Sequence, residues 1–296
     1  MSPWVVLAVV ILCSAIFRPA GLQKPVTTKP QYKSSQATLA YTTAVHQDLV
    51  SLPPPEKKIV AAVYQFSDQT GQYKYSPTVT TYSRAVTQGA TSMLIKALED
   101  SGWFTVIERE RLGHLLKERE IIDMTRKSYK SSQGQSLPPL PPLLYAGTIL
   151  EGGIISYDSN FLTGGFGAKY FGLGGDVEYR KDQVGIYLRA VSVQSGKILK
   201  SISTTKTILS KEVHLGIFRF VSLKRLLEAE TGLTTNEPPQ MCVLEAIEKA
   251  VLRLIIEGIA DEIWGLKNPE DIKSPVIQRY LEEKKEVEKA EELMSK

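Results

Sequence analysis

Two stretches of the chain alternate in side-chain character with a period of two, over lengths that suit membrane strands better than soluble ones. In the first, Phe171, Leu173, Val177 and Tyr179 share one parity while Gly172, Gly174, Asp176, Glu178 and Arg180 take the other. One face is therefore apolar and the other polar or bare. Just upstream, Leu162, Phe166, Ala168 and Tyr170 hold the opposite parity, and a change of phase across residues 170–172 is what a turn produces. The second stretch repeats the design. Val213, Leu215 and Ile217 alternate with Glu212, His214 and Gly216, and later Leu227, Ala229, Thr231 and Leu233 alternate with Glu228, Glu230, Gly232 and Thr234. Each arm is close to the ~9–11 residues that a tilted strand needs to cross a bilayer.

The pattern predicts hairpins over about residues 161–181 and 211–235. Phe171, Leu173, Val177, Leu227 and Leu233 would face lipid, and Asp176, Glu178, Glu212, Glu228 and Glu230 would face a lumen, because charge on the lipid face is penalised by about 2–4 kcal/mol for a basic residue at midplane and less for an acid. Four strands cannot close a pore by themselves, and an open sheet would leave unpaired N–H and C=O groups in hydrocarbon at several kcal/mol each. Hairpins that enter lipid thus require subunits to share one barrel, which means a ring.

The remaining composition is that of an ordinary globular protein, 296 residues long with a net charge of +4. That excess is small and dispersed, which argues against a nucleic-acid partner. Cys13 and Cys242 are the only cysteines, so there is neither a disulfide framework nor a dithiol motif. His46, His114 and His214 are scattered, without metal-ligand spacing. No nucleophile–base pair converges in the sequence, so the chain reads as a non-enzyme that needs no cofactor.

An apolar run over residues 4–17 is too short to span a membrane as a helix but suits a secretory signal or anchor segment, which implies export. Cys13 lies at the end of that run, as an acylated cysteine would. Leu12 stands before it instead of a small residue, so acylation of Cys13 and its loss with a cleaved signal both stay open. Residues 18–55 are polar and punctuated by proline, reading as a tether or wrapping arm. Residues 56–266 then mix strand and helix patterns. Strands are expected at 58–66, 104–108, 143–156, 184–193 and 197–209, and helices at 85–101, 110–123 and 241–259. A Ser/Gln/Pro-rich connector covers 128–142, and a charged helix ends the chain within 267–296. The fold class expected is an α/β domain whose own strands extend into two transmembrane β-hairpins per subunit.

Particular strings carry a family resemblance over residues 52–266: DQTGQYK at 68–74, SN at 159–160 followed by GG, GA and YFG up to 172, KTILS at 206–210, FRF at 218–220, RLLE at 225–228 and TTNEP at 234–238. At these residues the chain resembles the CsgG family of curli secretion channels, which are outer-membrane lipoproteins. The resemblance implies a nonamer whose subunits each give two hairpins to one shared outer-membrane β-barrel above a periplasmic α/β domain. Such a channel passes unfolded curli-type amyloid subunits without nucleotide hydrolysis, with a periplasmic capping accessory protein and a surface nucleator-tether protein as partners. The resemblance also gives a role to the loop at 67–82, which in the family narrows the pore with a Tyr, an Asn and a Phe from every subunit. Tyr82 stands in the place of the Phe and Thr81 in that of the Asn. Tyr75, or Ser76 given a segment one residue longer than usual, stands in that of the Tyr.

Blander readings compete with these. The glycines of GGFGAKYFGLGG partly match a phosphate-cradling loop, but no GK[ST] follows and Tyr170 and Phe171 are bulky where close approach would be needed. Arg219 fits a headgroup anchor near the second hairpin tip, and Cys242 fits a buried small hydrophobe. Tyr75 and Tyr82 read equally well, on residue type alone, as surface tyrosines. The competing function is a periplasmic lipoprotein with the same α/β domain that binds or anchors envelope proteins and forms no pore.

Overall fold

The computed structural model describes residues 42–73, 82–129, 138–162, 179–214, 217–221 and 239–294. Strand β1, Ile59–Asp68, is built from small and β-branched residues, and buries Ala61, Ala62, Val63 and Phe66. It pairs in parallel on one side with β2, Phe104–Glu108, and on the other with β3, Thr148–Leu162. From β3 onward the pairing is antiparallel, through β4, Tyr179–Ser192, β5, Ile198–His214, and β6, Ile217–Val221. The resulting order is β2-β1-β3-β4-β5-β6.

Five α-helices accompany the sheet among the described residues: α1, Ala44–Val50, α2, Ala90–Asp100, α3, Leu112–Ser128, α4, Pro239–Ala260, and α5, Pro275–Met294. The parallel pairs require crossovers, which α2 and α3 supply. On one face of the sheet α4 covers β4 and β5, α2 covers β1 and β2, and α1 packs against both helices. Ile186, Leu188 and Ile202 meet Val243, Ile247, Val251, Leu254 and Ile255 there, in a core that is buried throughout. Polar ties fix the register of α4 on β5: Thr204 Oγ1 donates to Ala246 O at 2.9 Å, Lys206 Nζ to Glu245 at 2.6 Å and Arg253 Nη1 to Ser203 O at 2.9 Å.

Two glycines are set by close approach. A Cβ at Gly152 would lie 2.2 Å from Tyr187 O and 2.6 Å from the Phe66 ring, so a backbone carbonyl of β4 and that ring occupy the space that a side chain on β3 would take. At Gly258 a Cβ would come within 2.0 Å of the Trp264 ring. There the chain turns back from α4 through Glu262, whose φ is 56°, and Trp264 Nε1 donates to Ile255 O at 2.9 Å.

The sheet is longest where the sequence placed the hairpins. Strands β3, β4 and β5 have 15, 14 and 17 residues, against the usual ~5–6. Pairing of β3 with β4 continues without interruption from Ser156↔Gly185 to Leu162↔Tyr179. Residues 163–178, which hold the expected first tip, lie outside the described residues.

Three findings differ from the sequence reading. Helix α1 sits inside the stretch read as a tether. Thr43 caps it by accepting from His46 N at 3.0 Å, its hydroxyl donates to Glu248 of α4, and Leu49 is buried. Helix α2 begins at Ala90, not at residue 85, and the five residues before it belong to a loop base described below. The second reversal comes earlier than expected, and Arg219 lies two residues beyond it in β6, paired with Lys211 of β5. The chain reverses between His214 and Ile217, an interval where the sequence has a glycine, Gly216. The rest of the second expected hairpin, residues 222–235 together with 215 and 216, is outside the described residues.

Candidate functional site

Strand β1 ends at Asp68, level with Ile154 of β3, and its neighbour β3 runs on to Leu162, about 26 Å further at ~3.3 Å per residue. The loop that follows β1 therefore leaves the sheet on the side toward which the long strands extend. Its base is knitted from both legs. Asp68 Oδ1 accepts from Thr70 N at 2.9 Å and from Thr70 Oγ1 at 2.7 Å, while Oδ2 accepts from Gln88 Nε2 at 3.2 Å on the returning leg. Burial pushes the Asp68 carboxyl up, but the hydrogen bonds from Thr70 and Gln88 and the charge of Arg84 outweigh it and hold the group below its usual value.

A second tie lies further out. Tyr73 and Arg84 form an antiparallel bridge, Ala85 N donates to Gln72 O at 2.9 Å, and the Arg84 guanidinium carbon lies 4.8 Å from the Tyr73 ring centroid. Exposed cation–π contacts contribute ~0.5–1 kcal/mol. The outgoing leg is also bound to the sheet, as Gln69 N donates to Ile154 O at 2.9 Å and Gln69 Nε2 to Tyr187 Oη at 3.2 Å. Tyr82 emerges from this base with 86% of its surface exposed. Its ring therefore has little packing among the described residues, on a base that is anchored.

The family model described as "Curli production assembly/transport component CsgG" matches residues 42–284. The chain belongs to the CsgG family. The curli production assembly/transport component CsgG of Salmonella typhimurium is 43% identical over 255 residues, covering 86% of this chain and 91% of that protein. The protein of the same name from Escherichia coli K12 is 43% identical over 253 residues, with the same coverage. Among solved structures, protein XCC0632 from Xanthomonas campestris aligns over 71% of this chain and 94% of its own, with 11% identity and a TM-score of 0.35. The family assigns a component of curli production and transport, and a mixed α/β fold accompanies it here.

Against that family background, the expected site residues fall into two groups. Tyr82 is described, and so is Glu212, which lies in β5 opposite Phe218 of β6. Lys211 shares a register position with Tyr179, and Ser210 with Arg180, so Glu212 takes the parity of Arg180, the polar one. Tyr75, Ser76, Thr81, Asp176, Glu178, Glu228, Glu230, Phe171, Leu173, Val177, Leu227, Leu233 and Cys13 lie outside the described residues. Among the described residues no group of His, Cys, Asp and Glu could hold a metal ion, and no helix is long and apolar enough to cross a membrane.

The sequence reading passed over Asp68, Thr70, Tyr73, Arg84 and Gln88 as individual residues. A signal for part of this base was present in Asp68-Gln69-Thr70-Gly71, a run of turn-forming types in which Gly71 has a φ of 66°.

Proposed function

We propose that the protein is an outer-membrane secretion channel, an oligomer whose subunits share one β-barrel through which unfolded curli-type amyloid subunits diffuse without nucleotide hydrolysis. The carrying observation is the direction of the long strands. Strands β3, β4 and β5 leave the helix-covered core as one hydrogen-bonded ribbon, aimed into the two alternating stretches, on the same side of the sheet as the anchored Tyr82 loop. Register supports the lipid and lumen parities: Leu162 pairs with Tyr179, so the described residue at the base of each arm that carries the apolar parity shares a register position with the other. A soluble binding module has no need of such a ribbon.

In this reading Tyr82, with Thr81 and Tyr75 or Ser76, narrows the pore and favours an extended chain over a folded one. The lipid-facing and lumen-facing sets are those of the alternating stretches. Its partners are other copies of itself, a nonamer as in the family, a periplasmic capping protein, a surface nucleator-tether protein and the exported subunits. Cys13, where acylated, would anchor the periplasmic side to lipid.

Electron microscopy of detergent-extracted protein, joined to conductance in planar bilayers, tests the proposal. Rings with a central opening that carry current are expected. Particles without a hole and without conductance would overturn it in favour of a pore-free envelope lipoprotein.

A further inference from the structure

The two legs of the loop after β1 are tied to each other at two levels within residues 68–88, and Gln69 ties the outgoing leg to the sheet through Ile154 and Tyr187. Asp68 reaches across to Gln88 at the inner level, and Tyr73 pairs with Arg84 at the outer level. Between these ties Ala85 and Val86 are buried, so the returning leg is packed onto the core as well as hydrogen-bonded. Tyr82 is two residues from Arg84 in the sequence, and among the described residues it has no comparable hold of its own. What sets its position is the outer tie.

Arg84 has two possible employments. It could present its charge to a passing chain, or it could use that charge on the Tyr73 ring and the Asp68 carboxylate. The guanidinium carbon is 4.8 Å from the ring centroid, and the same residue contributes to the electrostatic environment of Asp68. Both partners lie in the loop base. A cation engaged over an aromatic face holds backbone segments in place, and its neighbouring carboxylate offsets its charge.

We propose that Asp68, Tyr73, Arg84 and Gln88 form a clasp that holds the legs of this loop together, with Arg84 as a positioning residue that keeps Tyr82 at a constant height above the sheet. The clasp rests on the reading of Tyr82 as part of a pore constriction for its consequence, though not for its existence. In a ring, play in each loop would add to the fluctuation of one shared opening. The clasp would keep that opening narrow and its width steady.

Two measurements on the full-length oligomer separate the possibilities. The first is amide hydrogen exchange at Thr70 and Ala85, whose N–H groups are bonded to Asp68 Oδ1 and Gln72 O. Exchange at Ala85 should rise several-fold in Arg84→Gln and in Tyr73→Leu, rise no further in the double variant, and return toward the starting value in Arg84→Lys, while β1 and α2 stay protected. The second is open-channel current in planar bilayers, where the variance should rise in Arg84→Gln and Tyr73→Leu with the reversal potential under a salt gradient unchanged. Unaltered exchange at Ala85 in both single variants overturns the clasp even where the channel conducts. A reversal potential that shifts in Arg84→Gln while Tyr73→Leu leaves the current variance unchanged overturns it too, by showing that Arg84 acts as a lumen charge. Faster exchange in a protein that never conducts supports the clasp and removes the pore reading alone.

Discussion

Tyr280 of α5 donates its phenolic proton to Glu257 Oε1 of α4 at 2.8 Å. Arg253 Nε approaches the same oxygen at 2.8 Å, Lys200 Nζ of β5 reaches Oε2 at 3.0 Å, and Lys284 Nζ lies 3.7 Å away. One buried carboxylate thus joins the sheet, the core helix and the C-terminal helix. Burial pushes its pKa up, but the hydrogen bonds from Arg253, Tyr280 and Lys200 and the charge of Arg253 prevail and bring it to about 2. Burial and the adjacent carboxylate push the Tyr280 phenol up.

A carboxyl held at about 2 against an ordinary 4.5 contributes about 3 kcal/mol of stability at neutral pH. Because the folded value is the lower one, that contribution is complete above 4.5 and is lost as the pH falls toward 2. Glu257→Gln should be less stable than the parent by about 3 kcal/mol at pH 7, since it leaves Lys200 and Arg253 beside a neutral group. Thermal unfolding followed by circular dichroism should show the gap closing below pH 4.5. A gap of the same size at pH 2 and pH 7 would contradict the assignment.

Gly258→Ala should also destabilise, by about 1–3 kcal/mol, because the Trp264 ring lies where the methyl group would go and the turn through Glu262 leaves the ring little room to retreat. Gly113→Ala is the control, as nothing stands within 4 Å of its Cβ position. Midpoints in urea measure both, and equal midpoints would show that Trp264 moves freely.

How much of this was legible beforehand varied with the range of the forces involved. Strand β2 lies where its run of β-branched and aromatic residues placed it, at 104–108, and α4 differs by a residue or two at each end, because burial along a long helix leaves a periodic trace. Helix α1 left none. At seven residues it is too short to show a period, and it owes its place to Leu49 in the core and to Thr43 on Glu248, contacts with a helix some two hundred residues away. Ala85 and Val86 extended the apparent helical spacing of α2 because they are buried, yet they belong to the loop base, and apolar spacing cannot tell burial in a helix from burial beside one. The tie between Asp68 and Gln88 joins polar residues across a loop and follows no period.

The alternating stretches make a prediction that depends on parity alone. Leu173→Asp and Leu227→Asp should each abolish membrane assembly, while Glu178→Gln and Glu230→Gln should leave it intact, because only the lipid-facing parity penalises a charge. Heat-resistant oligomer on gels, with circular dichroism to confirm a folded α/β domain, reads the outcome. Equal tolerance at both parities would make these stretches ordinary surface strands.

For the constriction, Tyr82→Ala should raise single-channel conductance, since it removes one exposed aromatic from every subunit at once. Tyr82 is 86% exposed, so folding should change by less than ~0.5 kcal/mol. Thr81→Ala should act in the same direction and more weakly. A correctly assembled Tyr82→Ala ring with unchanged conductance would remove this loop from the narrowest point.

The long ribbon of β3, β4 and β5 has a mechanical meaning for the proposed assembly. Backbone pairing runs from beneath α4 out to Leu162 and Tyr179 with no linker between the two regions, through one register shift between Ile154 and Ser156, so in the proposed ring each subunit would behave as a stave carved from the same piece as its handle. The angle at which neighbouring α/β bodies meet would then fix the angle between neighbouring staves. In the proposed ring, the width of the opening would then be decided outside the membrane.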